Sequence, residues 1–219
     1  MSSSEFFRLH DDLSRAVFLQ LSSPIEKHPI MVIVGRSNTG KSSLCRLLAP
    51  WHKRKIKVGK NPGVTKKPVR IMMDDYEIVD LPGFGYMKGV SKREEERVMD
   101  DIINFIESNR EEIFVAVQVI DLTAFKRIFE KYKSTSVPFD KELFEFLQEM
   151  RIPTMILANK VDKLRKNEMM ENFNYLKEGM ETSRFPSFSD EDLIQCSMKT
   201  KQGLDRILER IGIYQEKIN

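Results

Sequence analysis

Three short stretches of this chain combine residue types whose spacing suits phosphate, metal and base chemistry. The first, Gly35-Arg36-Ser37-Asn38-Thr39-Gly40-Lys41-Ser42, fits G-x-x-x-x-G-K-[ST]. Its two glycines let the backbone turn N–H groups inward around phosphate oxygens, Lys41 sets an ammonium against the outer phosphates, and the Ser42 hydroxyl is a Mg2+ ligand. The pattern specifies a nucleoside triphosphate without saying which one. The second, Asp80-Leu81-Pro82-Gly83, closes an apolar run; there a carboxylate reaches Mg2+ through a water and the Gly83 N–H faces a γ-phosphate. The third, Asn159-Lys160-Val161-Asp162, follows another apolar run. A carboxylate at Asp162 accepts from the ring N1–H and the exocyclic amine of guanine, whereas adenine presents an acceptor at N1 and is repelled. Each stretch has an ordinary alternative as a surface turn. Their joint occurrence in this order makes coincidence implausible.

Two fainter pieces accompany them. Ser197-Met198-Lys199 follows the last apolar run, where a backbone N–H suits the guanine oxygen. Thr65, in Asn61-Pro62-Gly63-Val64-Thr65, lies between the first and second stretches and offers Mg2+ a second hydroxyl when GTP is bound; a plain Pro-Gly turn is the competing reading.

For these residues to meet, the elements between them must form a particular kind of sheet. Ile30–Val34 is a β-branched run ending at Gly35, the pattern of a strand buried on both faces. Leu44, Leu47 and Leu48 recur at helical spacing after Lys41, and Pro50 closes that segment. Val69–Met73 and Tyr76–Leu81, parted by Asp74-Asp75, predict an antiparallel hairpin, and Ile113–Ile120, Thr154–Ala158 and Leu193–Cys196 predict three more strands. Between them lie helical patterns. Ser91 with Glu94 signals a capping box ahead of Val98, Ile102 and Ile106. Phe125, Ile128, Phe129 and Tyr132 mark a second helix. Asp140 is a candidate cap for a third, carrying Leu143, Phe144 and Leu147, while Met169, Phe173 and Leu176 mark a fourth and Leu204, Ile207, Leu208 and Ile211 a last one. Ser134–Pro138 is expected to be a loop. The expectation is an α/β fold of roughly six strands, mostly parallel with one antiparallel hairpin strand, and helices on both faces. Residues 1–25 are expected to be an extension, either a helix through Phe6, Leu9, Leu13 and Val17 or an edge strand over Ala16–Leu21, and residues 26–219 a single domain.

Composition narrows the partners. A chain of 219 residues with 41% hydrophobic side chains closes a real core, which excludes disorder and fibrous repeats. No apolar run approaches the roughly 18 to 20 residues of a bilayer span. Met1-Ser2-Ser3-Ser4-Glu5 does not begin a basic segment followed by an apolar one, so no secretory signal and a cytoplasmic setting are expected. Cys45 and Cys196 sit in apolar surroundings and fit a reducing compartment. Net charge is only +3, but Lys27–Met73 holds twelve Lys or Arg and no Asp or Glu. That asymmetry points to an anionic partner: nucleotide phosphate, nucleic acid or both.

Taken together, Gly35 through Ser43, Pro62 through Thr65, Asp80-Leu81-Pro82-Gly83-Phe84-Gly85-Tyr86, Asn159 through Asp162 and Ser197 through Lys199 resemble the translational-type P-loop GTPases, and more closely the EngB (YihA/YsxC) family. The resemblance implies a Ras-like GTPase fold. It also implies GTP/GDP binding with Mg2+, hydrolysis of GTP, and roles in large ribosomal subunit assembly and in normal cell division and septation. On its terms the nucleotide is held by Gly35–Ser43, Pro62–Thr65, Asp80–Gly83, Asn159, Lys160, Asp162 and Ser197–Lys199. Mg2+ falls to Ser42, Thr65 and Asp80, and catalytic contributions to Lys41, Thr65 and Gly83. Ala124–Pro138 is longer and more basic than the loop expected in bacterial members.

Many Ras-like enzymes orient the attacking water with a Gln just after Asp-x-x-Gly, where this chain has Phe84. A phenyl ring neither accepts nor donates that proton, so hydrolysis is expected to be slow without a partner or a cation. Related GTPases with Asn at the position of Asn38 use it to help hold K+. Lys53–Arg70, with eight Lys or Arg and no acid, is the expected contact to a large-subunit particle or its rRNA. A monomer with no membrane contact is expected. Another reading is a GTP-dependent RNA- or ribosome-binding module with negligible intrinsic hydrolysis; a P-loop ATPase or nucleoside kinase is more distant, and Asp162 argues against it.

Overall fold

Ile30–Val34 (β1) carries five apolar side chains in succession and all five are buried, because alternate residues serve two different helix layers. Met31 and Ile33 face one layer, while Ile30, Val32 and Val34 face the other. The structure is a computed structural model and describes residues 28–52, 67–85, 91–133, 137–181 and 189–218.

After β1 the described elements are α1 (Lys41–Leu48), a 3-10 turn (Pro50–His52), β2 (Val69–Met72), β3 (Glu77–Asp80), α2 (Lys92–Ser108), β4 (Ile113–Asp121), α3 (Leu122–Lys133), α4 (Phe139–Glu149), β5 (Thr154–Asn159), a second 3-10 turn (Val161–Lys163), α5 (Lys166–Met180), a third 3-10 turn (Asp190–Asp192), β6 (Leu193–Gln195) and α6 (Leu204–Glu216). The strands form one six-stranded sheet ordered β2-β3-β1-β4-β5-β6. Only β2 runs antiparallel, pairing Val69 with Asp80 and Met72 with Glu77; every other neighbour pair is parallel. This is the expected α/β architecture, with helices on both faces.

One core layer joins α1 and α6 to the sheet through Leu44, Cys45, Ile207 and Ile211. On the opposite face α2 and α4 bury Ile102, Ile106, Leu143 and Leu147, and α3 with α5 bury Phe125, Phe129, Leu176 and Met180. The predicted capping box is present: the Ser91 hydroxyl accepts from the Glu94 N–H, and the Ser91 N–H donates to Glu94 Oε2 at 3.0 Å. Asp140 departs from expectation. The residue capping α4 is Pro138, and Asp140 sits inside the first turn, buried, with its carboxylate on Arg36. A buried guanidinium competes for that carboxylate better than backbone N–H groups do. The expectations for residues 1–25 and Ser134 fall outside the described residues, as does the side chain of Tyr132.

A parallel sheet brings the C-terminal ends of β1, β3, β4, β5 and β6 to one edge, so the loops that follow them converge. The loop after β6 is held in shape by Gly203, whose φ of +75° opens α6. A Cβ there would lie 2.5 Å from the Gln195 carbonyl oxygen. Gly203→Ala is therefore expected to cost about 1–3 kcal/mol of stability, read from the urea midpoint.

Candidate nucleotide site

Two glycines fix the path of the loop between β1 and α1. Gly35 (φ +138°) lies so close to the Val119 carbonyl, and Gly40 (φ +115°) so close to the Asn159 carboxamide, that neither position admits a Cβ. Between them the chain doubles back on itself. The Arg36 carbonyl accepts from Thr39 Oγ1 at 3.0 Å and from Lys41 Nζ at 3.0 Å. Asn38 sits exposed at φ +64°.

Lys41, Ser42 and Asp80 form the charged centre. Lys41 is 6% exposed and Asp80 1%. Burial pulls the Lys41 amine down to about 8, against the opposing pull of the Asp80 carboxylate. Burial likewise raises Asp80, opposed by Lys41 and by the Ser42 hydroxyl, which donates to Asp80 Oδ2 at 2.6 Å. Asp80 Oδ1 is buried with no hydrogen-bond partner among the described residues. A hydroxyl beside a carboxylate with an unspent oxygen fits Mg2+, which binds hard oxygen ligands and takes few of them from the protein.

The stretch after Asp80 rests directly on this loop. Ser37 N–H donates to the Phe84 carbonyl at 2.9 Å and Ser37 Oγ to the Gly83 carbonyl at 3.2 Å, so Gly83 and Phe84 are docked onto the phosphate loop. Leu81, Pro82 and Gly83 are buried, and the Phe84 ring is sealed in the core formed with α2 and α4.

The base-side residues meet the same loop through one carboxamide. Asn159 Nδ2 donates to the Thr39 carbonyl at 2.6 Å, and Asn159 Oδ1 accepts from the Met198 N–H at 3.0 Å. Lys160 (φ +72°) pairs with Asp121 at 2.5 Å. Asp162 is exposed, and one of its oxygens accepts from the buried Ser197 hydroxyl at 2.7 Å. Ser43 lies half-buried on α1 and Lys199 is exposed.

The expected residues from Gly35 to Ser43, Asp80 to Gly83, Asn159 to Asp162 and Ser197 to Lys199 are thus gathered at one sheet edge. Pro62, Gly63, Val64, Thr65, Tyr86 and most of Lys53–Arg70 lie outside the described residues. Two contacts escaped sequence reasoning, Lys160 with Asp121 and Arg36 with Asp140. Asp121 follows eight apolar or amide residues and gives no local signal. Asp140 is 104 residues from Arg36, where spacing carries no information.

Residues 30–160 match the family model described as 50S ribosome-binding GTPase. The chain is 38% identical over 194 residues to "Probable GTP-binding protein EngB" of Methanopyrus kandleri, spanning 87% of this chain and 92% of that one. It is also 38% identical over 182 residues to the protein of the same name from Pyrococcus horikoshii, spanning 83% and 81%. A crystal structure of a probable GTP-binding protein EngB superposes with a TM-score of 0.75 at 37% identity, covering 86% of this chain and 99% of that one.

Asp162→Asn replaces the carboxylate acceptor with an amide. It is expected to weaken GTP and favour xanthine nucleotides, whose edge is complementary to an amide. A competition assay in which GTP still outcompetes XTP would refute the base assignment.

Proposed function

This chain belongs to the EngB family of GTP-binding proteins, and from that premise we propose that it is a GTP-hydrolysing switch acting in assembly of the large ribosomal subunit, with a family link to cell division and septation. The observation that carries the switch is the docking of Gly83 and Phe84 on Ser37. The residues expected to sense a γ-phosphate lean on the loop expected to cradle it, so a change in one is felt by the other. The description of the matched family as ribosome-binding and the acid-free basic run Lys27–Met73 support the ribosomal partner. Residues 26–219 are the GTPase domain in this reading, residues 1–25 an extension, and the protein acts in the cytoplasm as a monomer. Among the described residues no helix is long and apolar enough to cross a membrane.

The chain's own groups divide the chemistry. Lys41 and the amides of Asn38–Ser43 hold the phosphates, the Gly83 N–H meets the γ-phosphate, and Asp162 with the Ser197–Lys199 loop selects guanine. Ser42, Asp80 and Thr65 would hold Mg2+, which when bound would neutralise phosphate charge. Phe84 supplies no water-orienting group. Turnover is therefore slow in isolation, and Asn38 is the residue proposed to admit K+ beside the phosphates. GTP hydrolysis is expected to be faster in K+ than in Na+ at equal ionic strength, and identical rates would remove the cation.

Docking is assigned to Lys53–Arg70, with Thr65 coupling the segment to GTP. Co-sedimentation with separated ribosomal particles is expected to be stronger with a non-hydrolysable GTP analogue than with GDP and to fall steeply with salt, as each neutralised phosphate releases counterions. Replacing Lys53, Arg54, Lys55 and Lys57 with Ser is expected to weaken particle binding while leaving GTP affinity intact. Unaffected particle binding, or a parallel loss of GTP affinity, would refute that docking role. Strong GTP-dependent particle binding with no measurable turnover would favour the binding-module reading.

A further inference from the structure

The Arg36 carbonyl serves the phosphate loop, but the Arg36 side chain runs away from it into a buried cluster that nucleotide binding does not explain. Arg36 Nε lies 2.6 Å from Asp140 Oδ2, with the two side chains 12% and 4% exposed. The guanidinium carbon sits 5.7 Å from the centre of the Phe84 ring and 5.9 Å from that of Phe139. Gly85, at φ +88°, passes so near that a Cβ would lie 2.7 Å from Arg36 Nη1. Behind the pair, Gln118 of β4 donates from Nε2 to the Asp140 carbonyl at 2.7 Å.

This is a poor arrangement for stability alone. Arg and carboxylate can form a two-bond fork, yet here Arg36 Nη2 and Asp140 Oδ1 are buried with no hydrogen-bond partner among the described residues, as is Gln118 Oε1. A buried ion pair gains little over an apolar pair of equal volume and often costs stability. What an apolar pair does not provide is a fixed direction. Arg36 touches both sides of the site: its carbonyl receives the Lys41 amine, its backbone bridges to Phe84, and its side chain packs over Phe84 and Gly85. Asp140 anchors that side chain to α4, whose Leu143, Phe144 and Leu147 are buried.

We propose that the Arg36–Asp140 pair is a positioning device that sets where Gly83–Gly85 lie against the phosphate loop, and so controls the rate of GTP hydrolysis more than nucleotide affinity. It rests on the GTPase reading above and adds a role for two side chains that touch neither nucleotide nor metal in that reading. Donors that stabilise a transition state must be placed closely, and a displacement of about 1 Å can cost on the order of 100-fold in rate.

The test compares wild type with Asp140→Asn, which keeps the shape and removes the charge, and with the paired variant Arg36→Met, Asp140→Leu, which refills the site without charge. GDP affinity by calorimetry, thermal midpoint and single-turnover GTP hydrolysis are measured on each full-length chain. The proposal expects hydrolysis to fall about tenfold or more in Asp140→Asn while GDP affinity stays within about threefold. It expects the paired variant to recover thermal stability and remain slow. If Asp140→Asn does not fold, the paired variant decides. Hydrolysis at the wild-type rate in Asp140→Asn, or recovery of rate together with stability in the paired variant, would overturn the positioning role. Failure of wild type to bind GDP would instead remove the GTPase reading, and the proposal with it.

Discussion

The carboxamide of Asn159 is the contact on which the geometry of the site depends. It ends β5, while the loop it holds follows β1, and β4 lies between the two strands. Two strand spacings amount to about 10 Å, too far for backbone groups to meet. Donating to Thr39 and accepting from Met198, one side chain ties the phosphate loop to the base loop. The chemistry tolerates little else. A carboxylate would set charge against the Thr39 carbonyl, and an apolar side chain would leave both backbone groups without that partner. The approach also requires the missing Cβ of Gly40, so a glycine in one motif and an asparagine in another form a single fitted contact.

Around that clasp the protein buries charge at the sheet edge where its parallel strands end. Lys41, Asp80 and Asp140 are all buried, and in each case burial is the largest influence on the ionisable group. Such groups are costly in a core and concentrate where a ligand or a moving part will repay them. The buried side-chain atoms lacking partners among the described residues follow the same distribution. Asp80 Oδ1 belongs to the Ser42–Asp80 pair proposed to hold Mg2+, and Arg36 Nη2, Asp140 Oδ1 and Gln118 Oε1 belong to the brace behind it.

How much of this was legible in the sequence depends on the range over which each signal acts. The order of strands and helices was legible because burial on both faces leaves continuous apolar runs such as Ile30–Val34, and because the Ser91–Glu94 box is complete within four residues. The gathering of Gly35–Ser42, Asp80–Gly83 and Asn159–Asp162 was also readable, since each motif ends a strand of a parallel sheet and the topology brings those ends together. Asp140 was misread for the opposite reason. An acidic residue at a helix start usually serves its own helix, and only tertiary packing reveals a guanidinium waiting for it. Lys160 posed the same difficulty, because its partner Asp121 lies on a neighbouring strand end, paired in register with Asn159.

Phe84 shows how these levels combine. From sequence it registers as a loss, a ring in place of a side chain able to orient water. In the fold the ring has a different role. Only 1% exposed, it plugs the core formed with α2 and α4 and presents its face to Arg36. Its carbonyl meanwhile receives the Ser37 N–H. The side chain fixes the segment from within, and the backbone couples it to the phosphate loop. A glutamine in the same pocket would have to bury its amide or pull the segment out of the core, losing the anchor in either case. Firm internal anchoring and a water-orienting side chain are thus alternatives at this one position, and a chain that adopts the first must draw its water-orienting group from elsewhere.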